Sequence, residues 1–475
     1  MSFDADVCRR LPLADATLHL LDFVADDAFL AGLFDRHRGR CFERRIRFPD
    51  LVHLLAEALT VHGQSANRTF TRAADAGDLN ATARAAYDKV ARMPPAVSAA
   101  LRTDGTARLR PVLPAATAEA LPACLAAFAV LAFDGKKIKK VAHRLTAARA
   151  VRGQVLGGKL LVAEDLRTGL AVGLAADPDG EASDLGLVPD LLARTRAVVP
   201  GPRLWVGDAL FADLTHLALL AADGDRFLVR YNAKVGFHPD PERPAVTGVN
   251  ERGQEYTEEW GRLGGPTDER RRYVRRVTVR RPGQDDVAVV TDLLDGDTYP
   301  AADLLAVSLR RWGIERLFQQ ATEVFHLAAL VSAGANGTVF QAALCLLLYN
   351  RTVVVRGSVA AGAGREAEAV SLEKVFVDMC RPMTGLIEVL GVPAVLACYG
   401  GAGWTTDRLA VYLAEVLGGV WRDGWVKSPA KKPRPPTPTE YLKGGHSSIY
   451  RIVRGLHETV PEPSPKEAQP RPSKQ

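Results

Sequence analysis

The stretch FAVLAFDGKKIKK, residues 128–140, decides how the chain is read. An apolar run meets Asp134 and Gly135, and a lysine-rich segment follows. A short apolar run bounded by a turn signal fits a buried strand. The Asp-Gly pair is expected to end that strand in a turn. Downstream, QVLGGKLLVAED and TGLAVGLAAD read as two further strands joined by a turn at Leu166-Arg167-Thr168-Gly169. SDLGLVPDLLART reads as a helix capped by Ser183 or Asp184. PRLWVGDALF is a strand, ADLTHLALLAADG an amphipathic helix ended by Gly224, and DRFLVRYNA a strand. Three strands, a helix, a strand, a helix and a strand make a mixed α/β core.

On either side the texture differs. Residues 1–122 read as a helical unit: DDAFLAGLFDRHRG and FPDLVHLLAEALTVHG place apolar residues three and four apart. ANRTFTRAADAG and TARAAYDKVARM suggest two more helices, and PPAVSAALRTDG leads into the next unit. Arginines crowd this part, among them Arg36, Arg38, Arg40, Arg44, Arg45 and Arg47, as on solvated helix faces or a DNA-contacting accessory domain. Residues 123–360 form the α/β unit, broken at about 232–292 by a Gly-, Pro-, Arg- and Glu-rich block read as a β insertion. There RRYVRRVTVRR and DDVAVVTDLL look like strands. From Pro300 the chain turns helical again, through SLRRWGIERLFQQAT at 308–322. Residues 361–455 are expected to be helical, with a proline-rich basic linker in KSPAKKPRPPTPTEYLKGG, and 456–475 disordered.

The chain has 475 residues, too many for one ordinary core. Lys plus Arg is 61 against 55 Asp plus Glu, a formal +6 that suits a polyanionic partner without requiring one. Six cysteines at 8, 41, 124, 345, 380 and 398 form no close pair, so neither a zinc cluster nor a disulfide framework is expected. Reduced thiols in a cytoplasmic protein are the simplest reading. The N-terminus lacks the apolar core of a signal peptide. VFQAALCLLLY at 339–349 is too short to span a bilayer and reads as a buried helix, so no membrane is expected. No P-loop, GxGxxG or GxSxG pattern occurs, and the ten histidines are scattered. Nucleotide hydrolysis, dinucleotide use, serine hydrolysis and histidine–metal chemistry therefore lack support.

Two aspartates remain where apolar strands reach the surface: Asp134 after FAVLAF and Asp208 after LWVG. Ligands favour such strand ends in open α/β sheets. A third carboxylate, Glu315, sits on the helical stretch with Arg311 four residues before it and Thr322 seven after, so the three share one stripe of a helix. Three carboxylates can offset the charge of two divalent ions about 4 Å apart, which together activate a nucleophile and stabilise a leaving oxygen on phosphorus. Arginines and lysines would then hold the phosphates: Arg310, Arg311, Lys136, Lys137, Lys139 and Lys140. Taken singly, an Asp-Gly pair is a turn, a lysine run a solvated edge, and a Glu among arginines a surface ion-pair cluster.

Together these residues resemble the DDE transposases of bacterial insertion sequences, in the group marked by a Tyr-x2-Arg-x3-Glu-x6-Lys signature. The resemblance covers about 125–355: FDGKKIKK, VGDALFADLTHLALLAADGDRFLVR and SLRRWGIERLF carry it. Ser308 stands where the signature has tyrosine and Thr322 where it has lysine. The resemblance implies an RNase H-like core with a β-rich insertion, and Asp134, Asp208 and Glu315 as catalytic metal ligands. It implies two Mg2+ ions, replaceable by Mn2+, and Arg311 on a phosphate. It also implies double-stranded DNA, as element terminal repeats and target, for its partner, and a homodimeric synaptic complex. The expected reaction is hydrolytic nicking followed by strand transfer, in a cut-and-paste manner. Trp260, in the insertion, has two readings: a base-stacking residue, or an ordinary core or surface tryptophan. The two departures leave open a catalytically silent, transposon-derived DNA-binding or regulatory protein.

Overall fold

A computed structural model describes residues 10–427 and 446–456, except 61–64, 116–119, 140, 142–144, 150, 251–252, 282, 284, 325–326, 328–330, 333, 391–394, 396–398 and 400–402. The proline-rich linker, the tail beyond 456 and Lys140 thus lie outside the described residues.

Among the described residues six helices come first: α1 (Pro12–Val24), α2 (Asp27–His37), α3 (Phe48–Thr60), α4 (Ala66–Asp75), α5 (Ala83–Ala91) and α6 (Pro95–Leu109). Their starts follow from local chemistry. Asp26, Ser65 and Thr82 each accept a hydrogen bond from a first-turn N–H of α2, α4 and α5, satisfying donors that have no partner inside the helix. The segment read only as a lead-in, 95–109, is a full helix, α6. Its Gly105, a poor helix former, lies where the Leu347 side chain closes on the backbone; a Cβ there would stand 2.8 Å from a leucine methyl.

The sheet follows the order β4-β3-β1-β5-β6-β11-β10-β9-β7, with β8 paired to β9. Its first half comprises β1 (Ala129–Ile138), β3 (Gly158–Asp165), β4 (Ala171–Asp177), β5 (Arg203–Gly207) and β6 (Arg226–Arg230). Helices α7 (Asp184–Val198) and α8 (Leu214–Leu220) supply the crossovers. Strands β1, β5 and β6 run parallel, and β3 and β4 antiparallel. The expected mixed α/β core is present.

The block at 232–292 is β-rich as expected, but it is not a separate body. Strands β7 (Phe237–Pro239), β8 (Val246–Val249), β9 (Glu255–Leu263), β10 (Arg272–Val279) and β11 (Val287–Thr291) extend the same sheet, because β11 pairs antiparallel with β6. An unpaired edge at β6 would be a template for other chains, and β11 covers it.

Two apolar layers sandwich the sheet. Alternate residues of β1 face opposite sides: Val130 and Ala132 join Leu204, Val206, Leu304 and Leu305, while Leu131 and Phe133 join Trp205, Phe211 and the larger cluster. That cluster also takes in the N-terminal helices and α11 (Ala335–Gly362). Among the described residues α11 is the one helix long and apolar enough to cross a membrane, and its apolar window is wholly buried within the protein. Each fully buried Leu or Val on it contributes about 1.5–3 kcal/mol relative to exposure. Helices α12 (Leu372–Leu390) and α13 (Thr406–Leu417) pack beside α11. The chain then returns through β12 (His446–Ser448) and α14 (Ile449–Val453), and β12 pairs in parallel with the short β2 (Gln154–Leu156).

Candidate active site

Asp134 does not end its strand in a turn. β1 continues to Ile138, paired with β3 as far as Gly158. Its pairing with β5 does end early, at Ala132 opposite Val206. Asp134 and Asp208 each stand two residues beyond that last pair, on neighbouring parallel strands. The reading of a strand-end carboxylate thus fits Asp208, while Asp134 is at the point where two strands part. Asp208 follows β5, and each carboxylate accepts the amide N–H of the next residue, Gly135 at 2.8 Å and Ala209 at 2.7 Å.

Burial is the main influence on Asp134, and it raises the carboxyl pKa above the ordinary value. The negative charges of Asp208 and Asp184 push the same way, against the Gly135 N–H and the Arg311 guanidinium. Such a pair of carboxylates, one of them reluctant to ionise, is a setting that a cation would relieve.

Arg311 is the counter-charge at hand. It is 7% exposed, with Nη1 at 3.7 Å from Asp134 Oδ2. The helical stretch around it is not continuous, as the shared stripe of 311, 315 and 322 required. α9 (Ala301–Arg310) stops, and α10 (Gly313–Glu323) begins after two intervening residues. Gly313 accounts for the break, being a poor helix former within an otherwise helical run. The break frees Arg311 to turn down to Asp134 while Trp312 is 54% exposed.

Glu315 stands in the first turn of α10. That helix buries Ile314, Leu317 and Phe318, and it leaves Glu315 exposed. Lys136 links the two levels. Its ammonium lies 5.6 Å above the Phe318 ring, and the charges of Asp134 and Glu315 both act on it. Burial lowers the Lys136 pKa first, Lys139 adds to that, and the carboxylates oppose it. Among the described residues no three His, Cys, Asp or Glu side chains converge closely enough to hold one metal ion. Asp134 and Asp208 fit a shared cation by their chemistry. Glu315 shares only Lys136 with Asp134, and it stays exposed because α10 buries its apolar residues Ile314, Leu317 and Phe318.

The other expected phosphate contacts are dispersed. Lys137 Nζ lies 3.0 Å from His446 Nε2 of the returning C-terminal segment, Lys139 is exposed, and Arg310 ends α9. Thr322 turns its hydroxyl back to the Phe318 carbonyl at 2.7 Å, so it does not substitute for the signature lysine. Ser308 is half-buried on α9.

Trp260 is not available to stack on a base, and that expectation is corrected. It is 4% exposed, donates its indole N–H to the Leu294 carbonyl at 2.8 Å, and is covered by the Arg243 guanidinium at 3.8 Å. The cause is its position on β9, a strand the sequence reading passed over, where alternate residues face the core.

Two acidic residues near Asp134 escaped the sequence reading. Asp184, taken as a cap, lies against Gly135 so closely that any Cβ there would collide with its carboxylate. It pairs with buried Lys159 at 2.8 Å. Glu164 is buried on β3 beside the start of α10, 3.5 Å from where a Cβ at Gly313 would be. The signal was present for Glu164: a carboxylate closing the largely apolar strand run GKLLVAED, two residues after Val162 and so on its face.

Residues 128–351 match the model of a family described as the transposase DDE domain. No curated protein matches the chain. Among solved structures, the chain is similar to a piggyBac transposase synaptic complex with hairpin DNA seen by cryo-EM. The two share 12% identity over 90% of this chain and 89% of that one, with a TM-score of 0.34.

Proposed function

We propose, from the transposase DDE domain matched over residues 128–351, that this protein is a DNA transposase. It cleaves phosphodiester bonds at the ends of a DNA element and joins the freed 3′ ends to target DNA in a cut-and-paste manner. The observation that carries this reading is the placement of Asp134 and Asp208 side by side where β1 and β5 part, with Arg311 buried against Asp134.

Each residue has a chemical task in this scheme. Asp134 and Asp208 would hold divalent Mg2+, or Mn2+ in its place, and Glu315 would complete the set from α10. The ions would supply Lewis-acid stabilisation of charge at phosphorus. Arg311 neutralises Asp134 while no substrate is present and can turn its fork to a phosphate oxygen. Lys136, softened by burial and held over Phe318, adds a second cation beside the acids. The +6 chain charge favours the DNA encounter. A homodimer would bring two ends together, and the place of action would be the bacterial cytoplasm, on double-stranded DNA.

The test uses a plasmid carrying the element's own terminal repeats with Mg2+. Asp134→Asn, Asp208→Asn and Glu315→Gln are each expected to abolish nicking while retaining end binding within a few-fold. Nicking that survives Glu315→Gln would remove Glu315 from the site. Nicking that survives all three variants would remove the whole reading.

A further inference from the structure

A groove of about 840 Å3 lies between α4, α5, the start of α11 and α14, and none of its lining residues belongs to the carboxylate site. Three segments far apart in sequence make it: Asn67, Arg84 and Tyr87 from the N-terminal helices, Asn336 from α11, and Tyr450 on α14 with Arg454 just after it. The C-terminal wall is fixed in place. Arg451 on α14 bonds Asp179 and Glu181, both at 2.7 Å, and β12 just before it pairs with β2.

The lining has a definite chemistry. Arg84 and Arg454 bring two guanidinium groups, and Asp88, in an ion pair with Arg84 at 3.2 Å, offsets one. The Arg454 guanidinium lies 4.4 Å from the centre of the Tyr450 ring, so a cation and an aromatic surface are presented together. Asn67 and Asn336 add amides that can both donate and accept. The cap position of α11 is Gly334, which has no side chain to satisfy the first-turn N–H groups of that 28-residue helix. Guanidinium groups suit phosphate oxygens, rings suit base faces, and amides suit base edges. An acidic peptide would use the arginines but neither the rings nor the amides. The volume is that of a small-ligand site, of order 300–1,000 Å3, which admits a nucleotide or two and excludes a duplex.

We propose that this groove binds an unpaired stretch of DNA one or two nucleotides long, phosphates on Arg84 and Arg454 and a base against Tyr450. The inference rests on the transposase reading for its choice of DNA, and it adds a second contact away from the carboxylates. It would give the C-terminal segment a role in holding a strand that has left the duplex.

The experiment is fluorescence anisotropy on the full chain at fixed salt, with three labelled probes: an oligo-dT single strand, a blunt duplex, and the same duplex with an oligo-dT tail. The double variant Arg84→Gln/Arg454→Gln changes two exposed side chains, and circular dichroism confirms its fold. It should bind the single strand at least tenfold more weakly and the blunt duplex within twofold of the parent. Tyr450→Ala should weaken single-strand binding several-fold, with Tyr450→Phe restoring it. Unchanged single-strand affinity in the double variant, equal losses on strand and duplex, or displacement of oligo-dT by a short acidic peptide would each overturn the groove assignment. A parent protein that binds duplex but no single strand overturns it too, leaving the transposase reading intact. A parent protein that binds none of the probes overturns both.

Discussion

At Asp134 the fold works against the ionisation of its own side chain. Burial raises the carboxyl pKa, and neighbouring Asp208 and Asp184 add to the shift. The sign follows from linkage: the folded state keeps its proton to higher pH than the unfolded chain, whose carboxyl titrates near 3.8. Stability is therefore lost as pH rises from that value through the raised one, and at neutral pH the ionised group is a net cost. Asp134→Asn should raise the melting temperature by a few degrees at neutral pH without divalent metal, and the gain should vanish in acid below the ordinary carboxyl value. A gain that persists unchanged in acid would mean that charge is not its source. Trp260 makes the opposite case. Its indole is a core group bonded to the Leu294 carbonyl, so Trp260→Ala should cost about 3–5 kcal/mol in urea unfolding. Any loss of DNA binding should follow the loss of folded protein. A variant of full stability that binds DNA poorly would restore a role in recognition. The residue scale also shows what sequence can and cannot reveal. The neighbouring positions of Asp134 and Asp208 were legible because each carboxylate follows an apolar strand run. For Trp260 the core reading holds over the stacking one, and sequence alone does not decide between them until its strand partner, Arg275 on β10, is known.

At the scale of elements, the join between α9 and α10 matters most. A single long helix was expected across 308–322; two helices meeting at Arg311 and Trp312 are found. Helical periodicity carries straight through such a join, because both residues keep right-handed helical dihedrals. Gly313 was the one hint. Its position tolerates a methyl group, since the nearest atom, Glu164 Oε2, would be at an ordinary 3.5 Å. Gly313→Ala should therefore fold, gain up to about 1 kcal/mol from helix propensity, and keep metal-dependent nicking within a few-fold. A larger side chain, as in Gly313→Leu, would press on Glu164, tilt α10, and remove nicking before it removes end binding. Equal nicking by both variants would show that the orientation of α10 is not critical. The extended sheet was legible only in part. RRYVRRVTVRR and DDVAVVTDLL announce strands, but nothing in either says that β11 would seek β6 across the intervening residues 231–286. Long-range pairing is set by which edge remains uncovered, a property of the assembled fold.

Over the whole molecule, α1 meets residues 399–412 from far along the chain, and composition gave no sign of it. His19 on α1 is ringed by Tyr399, Trp404 and Tyr412, with ring centres 4.8, 4.9 and 5.0 Å away. Trp404 donates its indole N–H to His19 Nδ1 at 3.1 Å, Tyr412 donates its hydroxyl to Asp15, and Asp15 lies 3.8 Å from His19 Nε2. Nδ1 can accept that bond only while it carries no proton. Burial lowers the His19 pKa below 6.5, with Asp15 opposing the shift. The stabilisation is therefore complete above the unfolded value and is lost as pH falls through the lowered folded one. Docking of α13 on α1 should weaken on acidification. Hydrogen exchange across 406–417, corrected for intrinsic rate, should show less protection at about pH 5.5 than at about pH 7.5. In His19→Asn, whose side-chain oxygen can accept the Trp404 bond without titrating, protection should be the same at both. A parent protein with pH-independent protection, or an Asn variant that keeps the pH dependence, would place the titrating group elsewhere. The same contact couples α1 to the helices beyond residue 351, so acid that loosens it would loosen both at once.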